Sequence, residues 1–338
     1  MTKITQKTLC PYCLNVIQNT CKACGKKFRQ ADFPTHRLAP FTLLKNRYLT
    51  GVALGEGGFG ITYRGLDQLT GRQVAIKEYY PSALVTRDGA KLLPRSEDFR
   101  SKFTLGKQRF ASEAKKMAVV KGKKGITAVY DFFSENDTAY IVMEYLPGVT
   151  LEKYLSVVGR LTFTEAVALL REVIEGLQTL HEAGFVHADV SPDNIMVMPD
   201  GSAKLLDFGS ASVADVFGGE RRVTLKKHYA PCEQYNSGRV LSRQTDVYAI
   251  GVTIYYALTL TLPPESVKRA ERDEIKLPSA LGGKITPLQE SALMTALCVD
   301  EKKRYHSARD MLTAFECDNA MPKTLKKGIY KKLFGENS

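Results

Sequence analysis

Short strand-like runs, rich in apolar and β-branched residues, dominate the chain from about residue 47 to residue 144. These runs lie at residues 47–54, 61–67, 72–80, 126–133 and 138–144. The glycine-rich sequence GEGGFG, residues 55–60, separates the first two runs. Because both of its flanks are strand-like, we expect this segment to form the tip of a β-hairpin.

Longer patterns of helical period predict the helices. One covers about residues 103–120, and another runs from Thr162 to Gly184. Thr162 and Glu165 have the spacing of a capping box, and Gly184 is typical of a helix end. Residues 242–316 are mostly helical in pattern. The sequence therefore predicts an α+β fold, in which a strand-rich part precedes a helix-rich part.

The composition is that of a globular protein with an excess of positive charge. The 338 residues are 44% hydrophobic and 25% charged, and the formal net charge is +12. This charge favours acidic partners such as nucleotide phosphates, nucleic acid or an anionic membrane surface. No apolar run reaches the ~18 residues of a membrane-spanning helix. The first ten residues, MTKITQKTLC, contain no apolar signal region, so we expect a cytoplasmic protein.

Four of the seven cysteines form two C-x-x-C pairs that are seven residues apart: Cys10 with Cys13, and Cys21 with Cys24. Four thiolates in this arrangement can hold Zn²⁺ in a tetrahedron. A pair of disulfides or a redox motif is the alternative, which a reducing compartment disfavours. We predict a structural zinc module over residues 8–26, similar to the short zinc ribbons of many bacterial proteins.

Residues 27–46 are basic and irregular, and we predict that they form a linker. A linker there would separate the zinc module from the rest of the chain. We therefore expect the rest of the chain to stay folded when the metal is removed.

The polar octet HADVSPDN, residues 187–194, is either a turn or an active site, because Asp, Asn, Ser and Pro all favour turns. Asn194 and Asp207 offer oxygen ligands of the kind that Mg²⁺ prefers, and Asp207 follows a strand-like run in the sequence LLDFG. Asp189 then remains available to accept a hydroxyl proton. The set of residues, rather than the octet alone, favours an active site.

A lysine near the glycine-rich segment supports the same interpretation. Glycine hairpins can lie close over phosphates and offer backbone N–H groups to them. Lys77 ends the apolar run VAIK, and it needs a carboxylate partner to hold it. Glu113, on the following predicted helix, is the best candidate, although an exposed helix glutamate is the alternative.

Taken in order, these motifs resemble those of a protein kinase across about residues 47–318. The matching set is Gly55, Gly57 and Gly60; Val74-Ala75-Ile76-Lys77; Glu113; His187, Asp189 and Asn194; Asp207-Phe208-Gly209; and Pro231-Cys232-Glu233. Asp246 looks like the buried aspartate of the family's large lobe. Arg304 looks like the arginine that pairs with the glutamate here numbered Glu233. The chain is most similar to bacterial serine/threonine kinases of the eukaryotic-like type.

The resemblance implies a bilobal kinase fold, with a small β-rich lobe and a larger helical lobe, and the cofactors ATP and Mg²⁺. Asp189 would be the catalytic base, Asn194 and Asp207 would hold Mg²⁺, and Lys77, held by Glu113, would bind the α- and β-phosphates. The implied nucleotide-binding residues also include the glycine segment and the adenine hinge: Gly55, Glu56, Gly57, Gly58, Phe59, Gly60, Glu144 and Leu146. Proteins with Ser or Thr hydroxyls would be the substrates.

Three positions depart from the family pattern. Ala188 replaces the arginine before the catalytic aspartate, Ser191 replaces the lysine two residues after it, and Cys232 replaces a proline. We expect Lys226 or Lys227 to restore the charge that Ser191 lacks. An insertion is predicted around residues 80–102. The missing charges motivate a second hypothesis, a pseudokinase that acts as a scaffold.

The two ends of the chain raise further hypotheses about partners. The zinc module with its basic linker could be a nucleic-acid module, but it lacks a base-stacking cluster, and a protein partner suits it better. The tail, residues 319–338, has apolar residues at helical spacing among lysines. Contact with anionic lipid is one interpretation, and packing on the large lobe or fraying is the more ordinary one.

Overall fold

The computed structural model describes residues 9–15, 21–27, 33–119, 122–206, 225–236 and 238–317, without the side chains of residues 113 and 115–119. The chain divides into two compact units. The first contains Met1–Lys121 and Ala128–Tyr145, and the second contains Gly122–Thr127 and Leu146–Ser338. The predicted tail lies outside the described residues. Within the described part of the chain, no helix is long and apolar enough to cross a membrane.

The first unit is built on an antiparallel sheet of six strands in the order β1-β2-β3-β4-β8-β7. Among the described residues, a separate hairpin, β5-β6, and one long helix, α1, accompany this sheet. The elements are β1 (Leu43–Leu44), β2 (Tyr48–Gly57), β3 (Gly60–Asp67), β4 (Gln73–Tyr79), β5 (Val85–Asp88), β6 (Lys91–Pro94), α1 (Glu97–Val119), β7 (Val129–Glu135) and β8 (Thr138–Glu144).

The predicted insertion forms the β5-β6 hairpin and the beginning of α1. Helix α1 begins at Glu97, six residues before the predicted residue 103, because Glu97 and Asp98 give its first turn the acidic residues that a helix N-terminus favours. Further along α1, Phe103 and Phe110 pack on Tyr79 of β4, with ring centroids 5.6 Å apart in both pairs. These contacts hold the helix against the sheet.

The predicted linker is not a free spacer over its described residues. Leu43–Leu44 pairs with β2, so the sheet begins before the predicted boundary at residue 47. Leu38 is buried, and its backbone N–H donates to the Tyr63 hydroxyl at 3.0 Å. The backbone N–H of Phe41 donates to the carbonyl of Thr50 at 2.7 Å. The segment therefore packs along the sheet.

The cysteine module packs directly on strands β2 and β3. Leu9 and Leu14 form an apolar cluster with Leu49 and Leu66 of the sheet. The backbone N–H of Val52 donates to the carbonyl of Pro11 at 2.8 Å. The approach is close enough that a Cβ added at Gly51 would lie 2.8 Å from the same carbonyl. The module and the sheet therefore share a buried interface.

The second unit is mainly helical and carries a small three-stranded sheet in the order β11-β10-β9. Its strands are β9 (Val149–Thr150), β10 (Ile195–Val197) and β11 (Ala203–Leu205). Its α-helices, in the described residues, are α2 (Leu151–Val158), α3 (Phe163–Glu182), α4 (Arg243–Thr259), α5 (Ser266–Glu271), α6 (Pro287–Ala296) and α7 (Ala308–Glu316).

Two sequence predictions in this unit are confirmed. The capping box of α3 is complete, since Thr162 and Glu165 each bind the other's backbone N–H. Glu233 and Arg304 form a buried pair, with Nη1–Oε1 and Nη2–Oε2 distances of 2.6 and 3.2 Å. Arg304 also donates to the carbonyls of Cys298, Gln244 and Val299, so its buried charge is well compensated.

Candidate active site

The glycine-rich segment forms the predicted hairpin tip between β2 and β3, where Gly57 pairs with Gly60. A Cβ added at Gly60 would lie 2.8 Å from the carbonyl of Glu78 on β4, so only glycine suits this position. At Gly57 and Gly58 an added Cβ would meet no atom within 4 Å. These glycines therefore keep the backbone of the tip uncovered, as a close approach to a phosphate requires.

Glu56, in the same tip, is held by the segment that follows the cysteine module. Its carboxylate accepts from Nε of Arg37 at 2.9 Å and lies 3.0 Å from Nε2 of His36. Burial alone would raise the pKa of Glu56, but the hydrogen bonds from His36 and Arg37 hold it below its ordinary value. The glycine tip is thus tied to residues 36 and 37.

Lys77 lies on β4, where its ammonium is 5.9 Å from the centre of the Phe110 ring on α1. Glu113 is three residues further along α1 than Phe110. The side chain of Glu113 is outside the described residues, so the pairing of Glu113 with Lys77 stays a prediction. The two residues lie on adjacent elements of the first unit.

Glu78, the next residue on β4, is a structural anchor that the sequence analysis missed. It is fully buried and binds Arg87 of β5, and its carboxylate also accepts from the Tyr63 and Tyr140 hydroxyls, each at 3.0 Å. Burial raises the pKa of Glu78, although the charge of Arg87 opposes the rise. The alternation of side chains along a strand was the available signal, since it puts Lys77 and Glu78 on opposite faces.

The octet at residues 187–194 is organised by Asp246, a fully buried residue of α4. Its two carboxylate oxygens accept from the backbone N–H groups of His187 and Ala188, both at 2.8 Å. His181 of α3 lies 2.8 Å from the same carboxylate. Burial alone would raise the pKa of Asp246, but His181 and the backbone N–H of His187 hold it below its ordinary value. A buried anion therefore fixes the start of the octet.

Ala188 adopts a left-handed backbone conformation, with φ of 62°. This conformation is unusual for a residue with a Cβ and costs free energy that the neighbouring contacts must offset. Those contacts are the hydrogen bond to Asp246 and a second one, in which Nε2 of Gln234 donates to the Ala188 carbonyl at 2.8 Å. Strain of this kind is common at functional sites.

Asn194 lies against Asp189, as the active-site interpretation requires. Its amide nitrogen donates to the Asp189 carboxylate at 2.7 Å and to the Asp189 carbonyl at 2.9 Å. Because the nitrogen faces Asp189, the amide oxygen faces away and can serve as an oxygen ligand for Mg²⁺. The Asp189 side chain is 15% exposed, so it is partly open to solvent.

The other predicted nucleotide-binding residues in the described part of the chain lie at or near the ends of strands. Glu144 ends β8, and Leu146, which is buried, begins the long second segment of the second unit. The carbonyl of Phe59 accepts from the backbone N–H of Tyr80 at 3.0 Å, which connects the glycine tip to the end of β4. Asp207, the second predicted Mg²⁺ ligand, lies outside the described residues.

The four N-terminal cysteines converge at one point. The Sγ atoms of Cys10, Cys13, Cys21 and Cys24 all lie within 4.8 Å of one another, and none is in a disulfide. Two of the separations are 3.4 Å, between Cys13 and Cys21, and 3.7 Å, between Cys10 and Cys24. A tetrahedral Zn²⁺ with its usual bond length would separate sulfurs by roughly 3.8 Å. The thiols therefore suit a tetrahedral zinc ion.

Comparison with known proteins identifies the class to which the chain belongs. Residues 48–313 match the model of the protein kinase domain, so the chain is a member of the protein kinase family. A solved structure described as PpkA-294 apo form is 29% identical, with a TM-score of 0.74, and the match covers 83% of this chain and all of that one. The β-rich first unit and the helical second unit are the two lobes of the kinase fold.

The curated relatives carry serine/threonine kinase names. A probable serine/threonine-protein kinase of Clostridium acetobutylicum is 29% identical over 80% of this chain and 40% of its own length. The serine/threonine-protein kinase PknL of Mycobacterium tuberculosis is 34% identical over 64% of this chain and 50% of its own length. The chain thus spans about half or less of these relatives.

Proposed function

We propose that the protein is an active serine/threonine protein kinase, which transfers the γ-phosphoryl group of ATP to protein hydroxyls and to itself. The observation that carries the proposal is the contact between Asn194 and Asp189 in a loop fixed by Asp246. Family membership and the names of the relatives support it. Nothing in the comparisons favours the alternative, a pseudokinase scaffold.

In this proposal Asp189 orients the substrate hydroxyl and accepts its proton as the new phosphorus–oxygen bond forms. Asn194 and Asp207 would hold Mg²⁺, and the bound ion would neutralise charge on the phosphates. Lys77, supported by Glu113, holds the α- and β-phosphates, and the backbone of the glycine tip covers them. Glu144 and Leu146 contribute backbone groups to the adenine site. Positioning and charge neutralisation then account for most of the catalysis.

We also propose that Cys10, Cys13, Cys21 and Cys24 bind a structural zinc ion, with the convergence of their sulfurs as support. So small a module cannot bury enough apolar surface to fold alone, and metal binding would contribute its folding free energy. A protein partner at the module, the cytoplasmic location and lipid contact by the tail stay predictions. The module lacks a base-stacking cluster, so we do not propose a nucleic-acid partner.

The direct test is transfer of radiolabelled γ-phosphate with Mg²⁺, by the wild type and by Asp189→Asn, using casein as a general acceptor. The substitution keeps the shape of the side chain and removes the base. We expect it to lower kcat by about 10²–10⁴. Equal transfer by both proteins would contradict the assignment of Asp189, and absence of transfer by the wild type would favour the scaffold.

A further inference from the structure

Ser191 stands where the kinase pattern has a lysine, and the structure brings another lysine to it. Ser191 is fully buried, and its hydroxyl accepts a hydrogen bond from Nζ of Lys226 at 2.7 Å. Lys226 is 35 residues further along the chain. The contact therefore joins the octet at residues 187–194 to the segment that precedes Glu233.

The ammonium of Lys226 also faces two carboxylates of the same loop. Nζ lies 3.4 Å from Oδ1 of Asp189 and 2.8 Å from Oδ2 of Asp193. Burial alone would raise the pKa of Asp193, but the hydrogen bond and charge of Lys226 hold it below its ordinary value. The cation is thus next to the group proposed to accept the substrate proton.

Backbone contacts fix the segment that carries Lys226. The carbonyl of Lys226 accepts from the N–H groups of Tyr229 and Ala230, at 2.7 and 2.9 Å. The carbonyl of Ala230 accepts from the hydroxyl of Ser266, which is buried, at 2.7 Å. The Lys226 side chain is 29% exposed, so it is partly shielded but still open to a ligand. The fold of the segment therefore determines the position of Lys226, which is not a freely moving surface side chain.

We propose that Lys226 is a catalytic residue, which supplies to the γ-phosphoryl group the positive charge that Ser191 cannot supply. This inference rests on the proposed kinase function. During transfer, the bond between the γ-phosphorus and the bridging oxygen breaks, and its electron pair leaves with ADP. The substrate oxygen forms the new bond to phosphorus, and its proton passes to Asp189. Lys226 only donates hydrogen bonds and keeps its protons.

Charge placement explains why this position matters. Without Lys226, the γ-phosphoryl oxygens and the carboxylates of Asp189 and Asp193 would repel one another without the cation that contacts both carboxylates. A preorganised donor at the reacting group is worth more in a partly dry site than in water. Lys227, the other predicted candidate, is exposed, and its carbonyl accepts from the Tyr235 hydroxyl at 3.0 Å.

The test relocates the charge. Lys226→Ala removes the charge. The double variant Ser191→Lys/Lys226→Ala puts a lysine back at position 191, the residue that Lys226 contacts in the wild type. Lys227→Ala is the matched control, because it removes an adjacent lysine. We expect Lys226→Ala to lower kcat by about 10²–10³ with KM for ATP changed less than about threefold. The double variant should recover at least about tenfold of that loss, and Lys227→Ala should behave like the wild type.

The thermal midpoint of each variant separates catalysis from folding. If Lys226→Ala does not fold, Lys226→Met is used instead in both the single and the double variant, because Met keeps the length of the side chain without its charge. A kcat within about threefold of wild type for the folded single variant would overturn the inference. A double variant that is no more active than the single one would also overturn the inference, because Lys226 would then serve only to hold its segment in place. If the wild type itself shows no Asp189-dependent transfer, the proposed function fails and this inference with it.

Discussion

Nε of Arg37 donates to the carboxylate of Glu56 at 2.9 Å, which ties the segment after the cysteine module to the glycine tip. Both side chains are 28% exposed, so the pair is only partly shielded from water. Such pairs contribute about 0.2–1 kcal/mol. This free energy is small, but it acts on the loop that is proposed to cover the nucleotide.

Arg37→Ala should therefore loosen the glycine tip and weaken nucleotide binding without changing the chemical step. We expect KM for ATP to rise by up to about fivefold, the equivalent of ~1 kcal/mol, with kcat nearly constant. Steady-state kinetics with varied ATP measure this effect. Arg100→Ala is the control, because Arg100 pairs with Glu97 at the exposed start of α1. An equal KM for both variants would show that the Arg37 contact does not order the tip.

Removal of the metal should destabilise the β-rich unit, contrary to the expectation from the sequence that a linker insulates it. Leu9 and Leu14 lie against Leu49 and Leu66, and this apolar contact depends on a folded cysteine module. We expect one zinc per chain. A strong chelator should lower the thermal midpoint by several degrees, since ~1 kcal/mol shifts a domain of this size by about 2–4 °C.

The double variant Cys21→Ser/Cys24→Ser should lose the zinc and show the same lower midpoint. Cys317→Ser, at an exposed cysteine of the helical unit, should retain both the metal and the wild-type midpoint. Metal analysis and thermal unfolding provide the two measurements. Full zinc content in the double variant would contradict the assignment of the ligands.

Acid should weaken the first unit through Asp67. Hydrogen bonds from Arg47, at 2.8 and 2.7 Å, lower the pKa of Asp67 to about 2. Because the folded pKa lies below the unfolded value of ~3.9, the stabilisation is complete at neutral pH and disappears as the pH falls from about 4 to about 2. We expect Asp67→Asn to cost about 1–2 kcal/mol at pH 7 and to reduce the loss of stability in that acid range.

Denaturant unfolding at a series of pH values measures this contribution. Glu97→Gln is the control, because Glu97 and its partner Arg100 are both well exposed, with side-chain exposures of 77% and 62%. The control should change the curve less than Asp67→Asn does, because water screens an exposed pair. If Asp67→Asn follows the wild-type curve, the pair with Arg47 adds nothing to stability.

We expect kinase activity not to depend on phosphorylation of the segment at residues 207–233, because of Ala188. Arginine at this position in the kinase pattern ties activity to a phosphate, whereas Ala188 carries no charge and is fixed by Asp246 and Gln234. Thr224→Ala, or phosphatase treatment, should keep kcat within about threefold, a barrier change of ~0.7 kcal/mol. Thr224 and Ser212 both lie outside the described residues. A hundredfold loss that phosphorylation reverses would contradict this prediction.

The sequence predicted local features well, because their determinants lie close together along the chain. The capping box of Thr162 and Glu165 needs three residues of spacing, and the glycine hairpin needs two adjacent strands. The order of kinase motifs then supplied the fold by resemblance. The capping box and the hairpin follow from local geometry, and both are present in the structure.

Contacts between distant residues could not be predicted in the same way. The sequence left Lys226 and Lys227 as equal candidates, and only the fold of the segment directs Lys226 to Ser191. The burial of Glu78 with Arg87 depends on where an inserted hairpin folds back. The packing of the cysteine module on β2 likewise depends on tertiary contacts that leave no short-range pattern.

The interface between the cysteine module and the sheet also determines where this protein can be shortened for expression. The match to the kinase domain begins at residue 48 and suggests a natural starting point for a recombinant fragment. A fragment that begins there would lack Leu9, Leu14 and strand β1, and would expose Leu49 and Leu66 to solvent. It would also leave the N–H of Val52 without its partner on Pro11. Such an edge, apolar and unpaired, promotes aggregation, so soluble fragments should begin before Leu9.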